Sequence, residues 1–147
     1  MQDSIRELVT QIRLGEDSTL EFKELRYKGN QVNDPHRSSM ADALAAMANT
    51  SNGTFILGVN DKTRQISGIP LDKLDIVELW IRDICNGLIT PQLFYRLRKL
   101  SFVAPDGIDR NIIRVDVPKS LFVHQSPGGY FERIGASKRQ MSPDCSR

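Results

Sequence analysis

Hydrophobic and polar positions recur along this chain at two periods, one near 3.6 residues and one of two, and together they predict three helices among short strands. Ile5, Leu8, Val9 and Ile12 lie at helical spacing within and after Ser4-Ile5-Arg6-Glu7, a capping-box pattern, and Gly15 is placed to stop the helix. Over residues 19–24 the period is two. Leu20 and Phe22 point one way while Glu21 and Lys23 point the other, which predicts a half-buried strand with a charged solvent-side face. Residues 26–37 are polar, hold Gly29 and Pro35, and show no apolar period, so they read as a loop. Ser38 or Ser39 can cap a second helix striped by Met40, Ala43, Leu44 and Met47, ahead of a polar turn at 49–53. Residues 54–59 are apolar without alternation, the mark of a central strand covered on both faces. A polar turn at 60–64 leads into residues 65–69, predicting an antiparallel hairpin that Pro70 ends. Leu74, Val77, Ile81, Ile84 and Leu88, with Trp80 beside them, form a third helix, and Pro91 marks its far side. Residues 94–103 and 111–117 flank Pro105-Asp106-Gly107 as a hairpin with Ile113, Val115 and Val117 inward. Residues 122–124 and 130–134 give a last short pair around Pro127-Gly128-Gly129, and the chain is polar and basic from Gly135 onward.

Helices interspersed with tight hairpins predict an α+β fold, a mixed and largely antiparallel sheet packed against about three helices. A chain of 147 residues with 39% apolar content supports one core and one domain, 1–147. The 20 basic and 18 acidic residues leave a net charge of +2, so attraction to nucleic acid must come from local clustering. The two cysteines, Cys85 in an apolar helical pattern and Cys145 in the polar tail, form neither a disulfide framework nor a zinc-ligand set, which fits a reduced, cytoplasmic setting. No apolar run approaches the ~20 residues that span a bilayer.

Three carboxylates draw the first chemical reading. Glu16 follows the first helix, Glu21 lies on the first strand, and Asp61 ends the central strand, so the three can converge. Hard oxygen ligands of this kind suit Mg²⁺ or Mn²⁺, with Lys23 on the same face for phosphate. Ordinary surface charges account for the same spacing. A second group, Arg133-Ile-Gly-Ala-Ser-Lys138-Arg139, reads either as a phosphate site at a turn and helix start or as a solvated basic tail. Arg96, Arg98 and Lys99 divide between two strand faces, and His124 and Tyr130 flank a glycine turn where they can stack on a base or simply pack. The chain has no phosphate-binding loop of the Gly-x-x-x-x-Gly-Lys-Ser/Thr type and no dinucleotide glycine fingerprint.

Four blocks in register resemble the Schlafen-type AlbA domain: Glu16-Asp-Ser-Thr-Leu-Glu-Phe-Lys23; Ala45-Ala-Met-Ala-Asn-Thr50 with Gly53; Ile56-Leu-Gly-Val-Asn-Asp61 with Ile66-Ser-Gly-Ile69; and Tyr130-Phe-Glu-Arg-Ile-Gly-Ala-Ser137. The usual Gly-Gly after the Asn-Thr pair reads Asn52-Gly53 here. The resemblance implies a DNA-binding domain placed at the N-terminus of a longer transcriptional regulator. Its phosphate contacts would come from Lys23, Arg26, Lys28, Arg37, Arg133, Lys138 and Arg139. Related domains in animal Schlafen proteins form a metal-dependent ribonuclease that cleaves transfer RNA, and the matching positions for metal and catalysis are Glu16, Glu21 and Asp61. Those enzymes build a cradle from two lobes, so homodimerisation would be needed to recreate it with this chain. An older description of the family as a divergent AAA ATPase domain implies ATP binding as a third reading.

Overall fold

The computed structural model describes residues 2–103 and 106–141, apart from the side chains of residues 2–5 and of Phe102. Helix α1 (Gln2–Leu14) is followed by strand β1 (Leu20–Lys23), the short strands β2 (Arg26–Lys28) and β3 (Gln31–Asp34), helix α2 (Arg37–Thr50) and strand β4 (Gly53–Leu57). A 3₁₀ turn at Leu71–Lys73 leads into helix α3 (Leu74–Gly87), and strands β5 (Arg96–Val103), β6 (Asp109–Val117), β7 (Phe131–Ile134) and β8 (Ser137–Gln140) complete the chain.

The main sheet has the order β1-β4-β6-β5. β1 runs parallel to β4, and the other two pairings are antiparallel, so the sheet is mixed and the fold is α+β. β4 is interior, and its side chains are apolar on both sides because both faces of the sheet are covered there. Phe55 and Leu57 join Ile113, Val115 and Val117 under α2 and α3, while Ile56 joins Leu20, Phe22 and Ile112 under Leu8 and Ile12 of α1. Helix α1 stops where its pattern ends. Gly15 takes φ +94°, open to glycine at little cost, and its N–H reaches back to the carbonyls of Gln11 and Ile12. The expected capping box involves the Ser4 side chain, which lies outside the described residues.

Several sequence expectations are corrected. Residues 26–37 are not a loop: β2 and β3 form a hairpin around Gly29, and Tyr27 and Val32 pair across it and pack on the main core. Two apolar residues are too few to show a period. Helix α2 is capped not by Ser38 or Ser39 but by His36, whose Nδ1 accepts the Ser38 N–H at 3.1 Å. The hairpin after β4 shrinks to one bridge between Val59 and Ile66, because Asn60 Oδ1 instead gathers the N–H groups of Lys62 and Thr63 into a tight local turn. Residues 122–124 form no strand. β7 pairs with β8 across Gly135-Ala136, so the segment expected as a basic tail or helix start is a strand hairpin. In the hairpin of β5 and β6, Pro105 lies outside the described residues. Among the described residues, no helix is long and apolar enough to cross a membrane.

Candidate nucleic-acid interface

The charged face of β1 is not solvent-side. Glu21 shares its face with Phe55 of β4, and β7 covers it: Glu21 is 6% exposed and Arg133 4%. Arg133 Nη1 donates to Glu21 Oε1, Nε donates to the Ser18 carbonyl at 3.0 Å, and Nη2 donates to the carbonyls of Asp17 at 2.7 Å and Leu20 at 3.3 Å. Lys23 Nζ holds the other Glu21 oxygen at 2.9 Å. The Arg133 backbone N–H donates to Thr50 Oγ1 at 2.7 Å, and Asn49 bridges the carbonyls of His124 and Phe131 while its Oδ1 accepts the His124 N–H. Three of the four sequence blocks therefore meet in one polar knot that fastens β7 to β1 and to the end of α2. The remaining block makes the close approach of Gly58 and Gly68, where the Gly68 N–H donates to the Gly58 carbonyl at 2.9 Å.

The expected site residues fall into different settings. Glu16 Oε2 accepts the Phe22 N–H at 2.8 Å. Its carboxyl is pushed above its ordinary value first by burial and further by the charges of Glu21 and Asp61, against the opposing Phe22 N–H and Lys23. Glu16 thus lies close enough to Glu21 and Asp61 to feel both charges. The three carboxylates do not fit a divalent ion as arranged, since two cations already occupy Glu21 and no group of three His, Cys, Asp or Glu side chains among the described residues is set to hold a metal. Of the seven basic side chains expected on phosphate, Arg26, Lys28, Arg37, Lys138 and Arg139 are exposed, and Lys23 is partly so. Arg133 is not available, because its guanidinium is enclosed by the groups just named. Arg139 lies against Glu132 and Lys138 over the Phe131 ring. His124 is buried between the Pro91 carbonyl and Ser120 Oγ, both at 2.6 Å, so it is a packing residue rather than a base contact.

A stronger basic feature lies on the sheet face that α1 half covers. Side chains alternate along the run into β5: Leu93, Tyr95 and Leu97 turn toward α2 and α3, while Phe94, Arg96 and Arg98 turn outward and are exposed. β6 runs alongside in a register that sets Arg114 directly opposite Arg98 and Asp116 opposite Arg96. Asp116 is the shared counter-ion. It accepts from Arg114 Nε at 3.0 Å, from Arg98 Nη2 at 3.3 Å, and from Thr54 Oγ1 at 2.8 Å. Burial would raise its carboxyl, but the Thr54 and Arg114 hydrogen bonds and the Arg114 charge outweigh that and hold it below the ordinary 3.8. Thr19, Asn52, Thr54, Phe94, Arg96 and Arg114 border a groove of about 430 Å³ on this face. Lys99, one residue on from Arg98, points to the opposite face and pairs with Asp75 and Glu78 of α3. The signal was present in the sequence as the two-residue spacing of Arg96 with Arg98 and of Arg114 with Asp116. Only the hairpin register makes them one cluster.

Fold and surface together define a class: a mixed-sheet α+β domain that buries the motif residues Glu21 and Arg133 and sets a cluster of arginines on one sheet face. The chain belongs to the Schlafen, AlbA_2 family, whose pattern matches residues 16–142. Membership in this family fits a nucleic-acid-binding role. None of the curated proteins matches the chain. Among solved structures, the DIP2311 protein from Corynebacterium diphtheriae is similar at 25% sequence identity and a TM-score of 0.58, over 84% of this chain. The chain spans 22% of the length of that protein.

Proposed function

We propose that the chain is a nucleic-acid-binding domain of a transcriptional regulator and that Arg96, Arg98 and Arg114 form its principal phosphate contact. One observation carries the reading. Arg98 and Arg114 are direct cross-strand neighbours, an arrangement of like charges that destabilises a sheet, with Arg96 beside them and Asp116 as the one carboxylate among the described residues bonded to the cluster. A polyanion turns that electrostatic cost into binding free energy through released counterions. Arg26, Lys28, Arg37, Lys138 and Arg139 act as peripheral contacts. The test is fluorescence anisotropy with labelled DNA and RNA across a salt series. Arg98→Ala is expected to lower the slope of log K against log salt by about 1. Absence of binding to every probe at ~50 mM salt, where a few phosphate contacts suffice, refutes the reading.

Metal-dependent cleavage of structured RNA by Glu16, Glu21 and Asp61, with Mg²⁺ or Mn²⁺ and a homodimeric cradle, is the second reading, and it needs the Glu21 carboxylate to leave Arg133 and Lys23 first. What favours it is the nearness of Glu16 to Glu21 and Asp61, whose charges help raise its carboxyl. Because Glu21 anchors Arg133, a Glu21 variant confounds folding with chemistry. Asp61, exposed in its turn, is the clean probe. Cleavage of transfer RNA with Mn²⁺ that disappears in Asp61→Ala supports this reading, and intact RNA under the same conditions removes it.

A further inference from the structure

We propose that the groove beside Phe94 takes an unpaired nucleotide, so that the domain prefers single-stranded nucleic acid to duplex. The inference rests on the nucleic-acid reading and adds a substrate class to it. Phe94 is 79% exposed although it is a large aromatic ring, and it sits at the end of the outward stripe it forms with Arg96 and Arg98. Asn52 lies on the groove wall, its Oδ1 fixed by the Lys119 N–H at 2.8 Å, which leaves the amide NH₂ as a donor for a base edge.

Three physical points favour a single strand. A duplex presents base edges in its grooves and keeps the base faces stacked inside, so an exposed phenyl ring finds no π-surface there. An unpaired base offers its face, and aromatic stacking beside a cationic track is how sequence-tolerant single-strand sites are built. A groove of about 430 Å³ is also in the range that encloses a small ligand, and its concavity admits a splayed base rather than a rigid helix. Arg96, Arg114 and Asp116 border the same groove, and the two arginines with Arg98 supply positive charge for the adjoining phosphates; Asp116, bonded to Arg98 and Arg114, offsets one charge of the three.

The experiment is anisotropy on the full chain with single-stranded DNA, single-stranded RNA of the same sequence, and the DNA duplex, for wild type, Phe94→Ala, Phe94→Trp and Arg96→Ala. Single strands are expected to bind at least roughly tenfold more tightly than duplex. Phe94→Ala should weaken them roughly 5- to 100-fold, as loss of one stacked base does, with the salt slope unchanged. Phe94→Trp should retain binding and show indole quenching. Arg96→Ala should lower both affinity and salt slope. The two single strands decide between DNA and RNA as the source of the base, and preference for either supports the inference. Salt-dependent duplex binding as tight as single-strand binding overturns it while leaving the nucleic-acid reading intact. So does a Phe94→Ala effect below about twofold, when a stacked base should contribute more. A loss of duplex affinity in Phe94→Ala equal to the single-strand loss marks a ring wedged between duplex steps and also overturns it. Failure of every probe to bind at ~50 mM salt overturns both.

Discussion

Replacing Arg133 by alanine tests whether the most motif-like basic residue of the chain is a binding group or a structural one. The side chain is 2% exposed and its partner Glu21 8%, so the substitution leaves a carboxylate inside the fold with Lys23 as its one cationic partner among the described residues. It also removes the donors to the carbonyls of Asp17, Ser18 and Leu20. Breaking a buried ion pair by deleting one partner costs about 3–5 kcal/mol. In a domain of this size that corresponds to a fall of roughly 6–20 °C in melting temperature. Circular dichroism melts and urea titrations measure it directly. Arg139→Ala is the control: its guanidinium bonds Glu132 at the surface, with 65% of the side chain exposed, and its loss should stay within about 0.5 kcal/mol. The double variant Glu21→Leu with Arg133→Met removes both charges and should recover most of the loss, since apolar replacements of a buried pair are often neutral or better. An Arg133→Ala protein within about 1 kcal/mol of wild type, well below the buried-pair range, would refute the argument. A loss of nucleic-acid binding in that protein at full stability would return Arg133 to the interface.

Further consequences concern the charged groups and the glycine contact. Asp116→Asn should lower stability at neutral pH by about 1–2 kcal/mol, as the charge-assisted bonds to Arg98 and Arg114 weaken, yet tighten nucleic-acid binding at low salt by leaving the arginines without their counter-charge. Its carboxyl is held below 3.8, so the stability it contributes is present above that value and is lost as pH falls through the lower folded one; the variant's deficit should vanish there. Glu16 has the opposite sign. Its folded carboxyl lies above the ordinary 4.5, so the fold gains from protonation and loses that gain as pH rises through the raised value. Glu16→Gln, which can still accept the Phe22 N–H, should flatten this slope and raise the urea midpoint at neutral pH; a lowered midpoint would count against the reading. Gly58→Ala places a Cβ 3.3 Å from the Gly68 carbonyl carbon and an Ile112 methyl at φ +106°, and should cost roughly 1–3 kcal/mol in urea unfolding.

The elements legible in the sequence include α1, α2 and α3, the alternating strands β1 and β6, the unbroken apolar core strand β4, and the strands β5 and β7 set off by their turns. The hairpin of β2 and β3 was invisible because Tyr27 and Val32 are its only packed residues, and they meet only after the chain reverses. The pairing of β7 with β8 was displaced by Pro127-Gly128-Gly129, an attractive turn signal that in the fold closes a local loop held by Asp42. At the site, residue types were easier to read than their surroundings. Glu21 has the outward register of a surface strand, and only β7, more than a hundred residues later, covers it. Arg133 carries the same lesson in reverse, since a basic residue beside Lys138 and Arg139 resembles a phosphate contact until its partners are known. The cluster of Arg96, Arg98 and Arg114 required register rather than composition.

The bond between Glu21 and Arg133 spans 112 positions of sequence. During synthesis at about 5–20 residues per second, β1 would wait roughly 6–20 s for its partner. Until then its carboxylate lacks the Arg133 guanidinium and the last turn of α2 has no β7 to hold Asn49 and Thr50. The arrival of β7 is therefore the event that covers the charged face of the first strand. Chains halted before it lack every contact that Arg133 makes with Glu21, Asp17, Ser18 and Leu20.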